Sequence, residues 1–256
     1  MRGQNVREIN APDWLTARPI AHRGLHCKAR GLVENTIAAA AAAMAKGYAI
    51  ECDIQRSSDG EAMVFHDFTL ERLMLAEGRL DAYSAQEISG LRFRDCDQSI
   101  APLADFLAAI NGRVPLIVEI KSRFDGDLRL ADRAIAIVAE YDGPVCLKSF
   151  DPEILAFIRA QKIACPLGLV AEARYAEKEW PELSPERRTA LADLRDFSRV
   201  RPDFLSWHIG DLPHAVPELC RSGMGMPVIT WTVRSASDRE RANLWIDQII
   251  FEGFEP

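Results

Sequence analysis

No stretch of this chain approaches the ~20 consecutive apolar residues that a bilayer-spanning helix needs, so stable membrane insertion is not expected. Residues Met1 to Arg18 carry Arg2, Arg7, Glu8, Asp13 and Arg18 and lack an apolar core of signal-peptide length. The six cysteines (27, 52, 96, 146, 165 and 220) contain no C-x-x-C pair, and Cys52 and Cys146 fall within expected core strands. Buried free thiols in a reducing cytoplasm account for them better than disulfides or zinc ligation. A basic excess is also missing. The formal net charge of −7 disfavours a nucleic-acid partner and requires that any anionic substrate be met by local cations or a metal. No interior Ser/Gly/Pro-rich linker divides the 256 residues, which favours one domain over 1–256 although two smaller ones would fit the length. The oligomeric state is left open.

What is present is a chain with 48% hydrophobic and 27% charged positions whose chemistry concentrates between Pro19 and Asp67. Tyr48 to Ile54 is an apolar run interrupted by Glu51 and Asp53, and residues two apart on a strand share a face, about 7 Å from one another. Two carboxylates on one face repel unless a cation or proton lies between them. A hard, oxygen-liganded ion such as Mg²⁺ or Ca²⁺ satisfies that need, and a solvated strand face is the alternative. Ser57-Ser58-Asp59-Gly60 is a turn signal, so Ile54 to Phe65 forms a β-hairpin that returns His66 to the neighbourhood of Glu51 and Asp53. There a histidine can transfer protons near neutral pH. Upstream, the short strand Pro19 to Ala21 ends in His22-Arg23-Gly24, where Arg23 offers a planar fork to phosphate and Gly24 permits close backbone approach.

Beyond the hairpin the pattern becomes regular. Glu34 to Lys46 is helical, with an unbroken alanine run and Gly47 as its stop signal. Phe68 to Ile100 is polar and irregular, with a short helix around Ser84 to Leu91. Helical segments, one of them over Ser184 to Phe197, then alternate with strands at Leu116 to Lys121, Val145 to Phe150, Pro166 to Val170, Asp203 to Trp207, Val228 to Val233 and Gln248 to Phe251. With the strands at Pro19 and Tyr48 this makes eight, and an α/β fold of the (β/α)₈ TIM-barrel type is predicted, carrying a hairpin extension and a short insertion after its second strand. Barrel active sites lie at the carboxyl ends of the strands, where His22, Glu51, Asp53, Glu119 and Lys121 fall. Glu119 shares a face with Lys121 and completes a three-carboxylate metal site, while Lys121 supplies a point charge for phosphate; a buried structural ion pair is the alternative. Lys148 is out of alternation with Ser149 and is expected on the helix side. His26 and His214 are expected to be solvated, the acidic and basic residues of Glu172 to Arg188 read as a solvated face, and His208 could face the barrel mouth.

His22-Arg23-Gly24, Glu34-Asn35-Thr36, Glu51-x-Asp53, His66-Asp67, Glu119-x-Lys121, Ser149-Phe150 and Trp231-Thr232-Val233 occur in an order and spacing that resembles the glycerophosphodiester phosphodiesterase family of phospholipase C-like TIM barrels. The ordered set carries the resemblance. It implies metal-dependent cleavage of glycerophosphodiesters, small-molecule substrates, to glycerol 3-phosphate and an alcohol. His22 and His66 would act as an acid–base pair, Glu51, Asp53 and Glu119 would hold one divalent cation, and Arg23, Lys121 and Trp231 would contact substrate. Asn35 and Thr36 would border the site, although capping the first turn of the helix is their simpler role. Two rivals are a lysophospholipase D-like lyase on the same barrel and a catalytically silent phosphate-binding protein. The chain departs from the family pattern at Arg72-Leu73-Met74, at Arg234 and in the ending from Ile249 to Pro256. The last two departures are expected to touch the substrate rim and leave the metal and histidine set untouched.

Overall fold

The computed structural model describes residue 9 and residues 11–256; the stretch with Arg2, Arg7 and Glu8, read above as lacking a signal-peptide core, lies outside the described residues. The strands are β1 (Ile20–Ala21), β2 (Ala49–Arg56), β3 (Ala62–Val64), β4 (Leu116–Ile120), β5 (Val145–Ser149), β6 (Leu167–Ala171), β7 (Phe204–His208), β8 (Val228–Val233) and β9 (Gln248–Phe251). All but β3 are parallel and follow one another laterally, and β1 pairs with both β2 and β9, which closes an eight-stranded barrel. The helices are α1 (Ile37–Ala45), α2 (Ala85–Gly90), α3 (Leu103–Ile110), α4 (Arg129–Ala139), α5 (Pro152–Ala160), α6 (Pro185–Ala192), α7 (Phe197–Val200), α8 (Ala215–Glu218) and α9 (Ala236–Ala242). The expected (β/α)₈ barrel is therefore present, with the β2–β3 hairpin paired antiparallel through Ile54 and Val64.

Two apolar layers hold it. Outward residues such as Ile50, Cys52, Val118 and Leu147 pack against the helices, while Ile20, Ala49, Ile117, Cys146, Phe204, Ile229 and Ile250 fill the barrel interior. Gly168 on β6 makes room for this interior plug, since a Cβ there would lie 2.2 Å from the Phe204 ring. Two elements differ from the sequence reading. The single helix expected over Ser184 to Phe197 is split into α6 and α7, with Leu194 between them at φ 51°. The insertion after β3 is irregular but not simply polar: Met63, Phe65, Leu70, Met74, Leu80, Ile88, Phe93 and Ile100 form their own buried cluster.

The alanine helix explains how the first site loop is held. Thr36 caps α1 by accepting from Ala39 N at 3.2 Å, and Ala39, Ala40 and Ala43 are buried. At Gly24, with φ +78°, a Cβ would come within 2.7 Å of the Ala39 carbonyl carbon, so only glycine permits this approach. Leu25 N then donates to Ala39 O at 2.9 Å, which fixes the loop carrying His22 and Arg23 to the end of β1.

Candidate active site

Strand alternation continues the apolar plug upward into a charged layer. His22 follows interior Ile20 by two residues, Glu51 and Asp53 follow Ala49, Glu119 and Lys121 follow Ile117, Lys148 follows Cys146, Trp231 follows Ile229, and Glu252 follows Ile250. The same parity that buries the barrel core thus delivers these side chains to one mouth. A cavity of about 760 Å³ opens there, lined by His22, Arg23, Asp53, His66, Glu119, Lys121, Lys148 and Trp231 among others.

Glu51, Asp53 and Glu119 are buried and converge, each offering an oxygen within 4.8 Å of the others. Their neighbours are cations and amides. Glu51 Oε2 accepts from Arg23 N at 3.1 Å, and Glu51 Oε1 lies 3.0 Å from Lys148 Nζ. Asp53 Oδ2 accepts from Asn35 Nδ2 at 3.0 Å and lies 3.2 Å from Arg23 Nε, while Lys121 Nζ is 3.2 Å from Asp53 Oδ1. Glu119 receives Lys121 at 2.8 Å and Lys148 at 2.6 Å. Burial works to protonate Glu119, but the Lys121 and Lys148 charges outweigh it and hold the carboxyl down at about 2. Asp53 is likewise held well below the usual carboxylate range, burial being overcome by Lys121, His66, Arg23 and His22. Burial also opposes the Lys121 and Lys148 ammonium charges, yet the surrounding carboxylates leave both more basic than an ordinary lysine.

The two histidines are held alike. His22 Nδ1 meets Glu252 Oε2 at 2.5 Å, and His66 Nδ1 meets Asp67 Oδ1 at 2.7 Å. A carboxylate on Nδ1 fixes the ring and its tautomer and leaves Nε2 as the second ring nitrogen of each. His22 Nε2 is 3.9 Å from Glu51 Oε2. The Asp67 carboxylate belongs to a longer chain of ions: Arg72 donates to Asp67 at 2.5 Å and to Glu34 at 2.7 Å, and Glu34 accepts from Arg23 at 2.6 Å. Arg23 and Asn35 both adopt positive φ, at 56° and 57°, and Asn35 N donates to Arg23 O at 2.9 Å, so each strained loop braces the other.

Several placements correct the sequence reading. Lys148 does not face the helices; its parity is set by interior Cys146, and it is buried between Glu51 and Glu119. Among the acidic and basic residues of Glu172 to Arg188, Arg174, Glu177, Lys178, Glu179, Glu182 and Glu186 are exposed as expected, and Glu172 departs from that solvated face. Glu172 is buried and accepts from Trp180 Nε1 at 2.6 Å, and Trp180 lines the cavity against Phe150, their ring centres 5.0 Å apart. His26 is not solvated but lies 3.5 Å from Glu252, and His214 stacks on Trp207 at 5.0 Å. The divergent ending reaches further than the rim, because Glu252 is the partner of His22 and also pairs with Arg234 at 2.7 Å. Burial would raise Glu252, but its hydrogen bond with His22, the close approach of His26 and the Arg234 charge hold it well below the usual range. His208 does face the mouth, 4.9 Å from the Trp231 ring. Glu252 could have been found by extending the Ile250 parity two residues, and Lys148 by counting from Cys146; nothing in local sequence marks Trp180.

A closed parallel barrel with paired histidines and a carboxylate cluster at its strand ends has the form of a barrel enzyme. The pattern of the Glycerophosphoryl diester phosphodiesterase family matches residues 22–252, and the chain belongs to that family. It is 28% identical over 232 residues to the glycerophosphodiester phosphodiesterase of Caldanaerobacter subterraneus subsp. tengcongensis, a match that covers 87% of this chain and 88% of that protein. Similar solved structures include the glycerophosphodiester phosphodiesterase of Thermotoga maritima, with a TM-score of 0.68 at 22% identity over 91% of this chain and 92% of the other. Another is an Oleispira antarctica phosphodiesterase in complex with the product sn-glycerol-3-phosphate, with a TM-score of 0.74 at 19% identity over 91% and 92%. These two likenesses establish the fold.

Proposed function

We propose that this protein hydrolyses glycerophosphodiesters to glycerol 3-phosphate and an alcohol, with one divalent cation, Mg²⁺ or Ca²⁺, and two histidines. The observation that carries the reading is the pair of histidines, each with Nδ1 held by a carboxylate, on a cavity lined by buried Asp53 and Glu119, with buried Glu51 converging on both. Binding phosphate alone has no use for two such rings. The acids fit a hard cation: they offer carboxylate oxygens only, and buried Glu51 Oε1, ion-paired with Lys148 at 3.0 Å, accepts no hydrogen bond. Glu51, Asp53 and Glu119 would hold the ion, whose chemistry is to polarise the phosphoryl oxygens.

The remaining chemistry belongs to the side chains. One histidine takes at Nε2 the proton of the attacking hydroxyl, whether of water or of the glycerol 2-position, and the other gives a proton to the departing alcohol oxygen; where the glycerol hydroxyl attacks, the two exchange roles as water opens the cyclic phosphate to glycerol 3-phosphate. Glu252 and Asp67 hold the two rings in place through each step and offset the charge that each gains. Arg23 and Lys121 present positive charge to the phosphate, and Trp231 forms a wall beside it. Barrel strands running from Ile20 to Phe251 support reading 1–256 as one domain. Among the described residues no helix is long and apolar enough to cross a membrane. A cytoplasmic setting is supported by the six free cysteines.

The test is a panel of glycerophosphodiesters offered to the purified protein with and without chelator. Release of glycerol 3-phosphate that chelator stops and Mg²⁺ or Ca²⁺ restores is expected. A stable cyclic phosphate as final product would select a lyase instead, and inertness toward the whole panel would sink the reading.

A further inference from the structure

The charged floor of the cavity is balanced by side chains alone. Glu51, Asp53 and Glu119 face Arg23, Lys121 and Lys148 within ion-pair distance. Lys148 stands apart from the other two cations. Arg23 also serves Glu34, and Lys121 stands at the end of its strand, whereas Lys148 is only 2% exposed. Its ammonium spans two acids of neighbouring strands, 3.0 Å from Glu51 Oε1 and 2.6 Å from Glu119 Oε2. The register explains the position, since Glu119 on β4 is the direct lateral partner of both Asp53 on β2 and Lys148 on β5.

A divalent ion contacts carboxylate oxygens directly, at about 2.0–2.6 Å. An ammonium already bridging two of the same three acids and an ion bound to those acids would face each other as like charges across a few ångströms of buried space. We infer that Lys148 is a resident cation that competes with the divalent ion for Glu51 and Glu119. It neutralises the acids when no ion is bound and must swing away, into the cavity that it lines, when the ion enters. The ion is accordingly held weakly and exchanges readily. This inference rests on the metal reading given under Proposed function, and it adds a residue that sets the ion's affinity.

Calorimetric titration with Mg²⁺ and with Ca²⁺, without substrate, tests it on the wild type, Lys148→Met and Lys148→Arg. Lys148→Met is expected to bind the ion tighter by roughly tenfold or more, since close buried charge pairs couple by at least about that factor. Lys148→Arg keeps the charge and is expected to stay near the wild type. Equal, tight binding by all three proteins would overturn the competition and leave the metal reading standing. No binding by any of them would overturn both.

Removing Lys148 leaves like charges facing one another, so unfolding by denaturant is measured as well. Lys148→Met should lose stability in chelator and regain more on adding the ion than the wild type does. A gain no larger than in the wild type counts against the proposal. The unmutated protein supplies an independent reading through the Lys148 side-chain resonance in lysine-labelled protein, assigned by its loss in Lys148→Arg. That signal should move as the ion saturates; a signal unchanged at saturation would overturn the displacement.

Discussion

On the side of the cavity built by β1, β2, β4 and β5, the site side chains are ionisable and tied to partners of opposite charge, from His22–Glu252 round to Lys148–Glu119. The side built by β7, β8 and the segments after β5 and β6 presents rings instead. Phe150 packs against Trp180 at 5.0 Å and edge-on to Trp231 at 5.4 Å, and His208 lies beside Trp231. Most of the first side hangs on strands whose alternation is locked by the interior plug, and its groups are mutually over-determined. Much of the second hangs on connections and is held by ring contacts and by indole hydrogen bonds, Trp180 to Glu172 and Trp231 to Ser206 O. Geometry fixed to a fraction of an ångström is what phosphoryl chemistry needs. The ring side supplies shape and apolar area, with Lys178, Glu179, Glu182 and Arg234 around it.

The comparison is broken hardest at Glu51. Glu51→Gln should lower turnover by roughly 10³-fold or more and abolish calorimetric binding of Mg²⁺ or Ca²⁺, because stabilising the phosphoryl charge is worth several kcal/mol. Retained ion binding would remove Glu51 from the cation site. His22→Ala and His66→Ala follow, each expected to lower kcat by about 10² to 10⁴-fold with ion binding nearly intact. The unmutated enzyme should show a bell-shaped rate profile whose two limbs require one neutral and one protonated ring. If both variants keep near-normal turnover, the acid–base pair is wrongly assigned.

On the ring side the expected effects are smaller and of another kind. Trp231→Ala should raise KM by about tenfold for the diester with little change in kcat, because a lost apolar contact of this size is worth about 1–2 kcal/mol of uniform binding. A kcat loss matching those of the histidine variants would mean that Trp231 positions the reacting phosphate, and the division between the two sides would fall.

The two sides were also unequally legible in the sequence. Glu51-x-Asp53 and Glu119-x-Lys121 announce themselves because a period of two inside an apolar run admits few readings, and the hairpin turn at Asp59-Gly60 then brings His66 back. Lys148 sits on just such a strand, and parity counted from Ser149 points it outward, whereas parity counted from interior Cys146 points it to the mouth. The ring side depends on tertiary routing. The chain from Glu172 to Leu183 is rich in charge and looks solvated, yet it folds inward so that Tyr175, Trp180 and Leu183 reach the rings of Phe124 and Phe150. No local period encodes that path. Glu252 lies between these cases, legible by parity from Ile250 and obscured because the surrounding residues depart from the family's ending.

The smallest effect concerns the hydrogen bond from Trp180 to Glu172 on the ring side. Burial of Glu172, with the negative charges of Glu179 and Asp211 nearby, pushes its carboxyl up to about 7, although the bond from Trp180 pulls the other way. Its ordinary value is 4.5, so between 4.5 and 7 the unfolded chain has released this proton while the folded protein still holds it. The folded state then binds more protons, and stability falls as pH rises through that window. The contribution of Glu172 is fully present below 4.5 and has gone once pH passes about 7. Glu172→Gln keeps a carbonyl acceptor for the indole and cannot ionise. Its melting temperature should therefore fall less than that of the wild type between pH 5 and pH 8, and the intrinsic tryptophan emission should lose a titration step near pH 7. Parallel melting curves and an unchanged emission titration would show that Glu172 ionises in the folded protein as it does in the unfolded chain, and that the inward path of this segment is held by the packing of Tyr175, Trp180 and Leu183 alone.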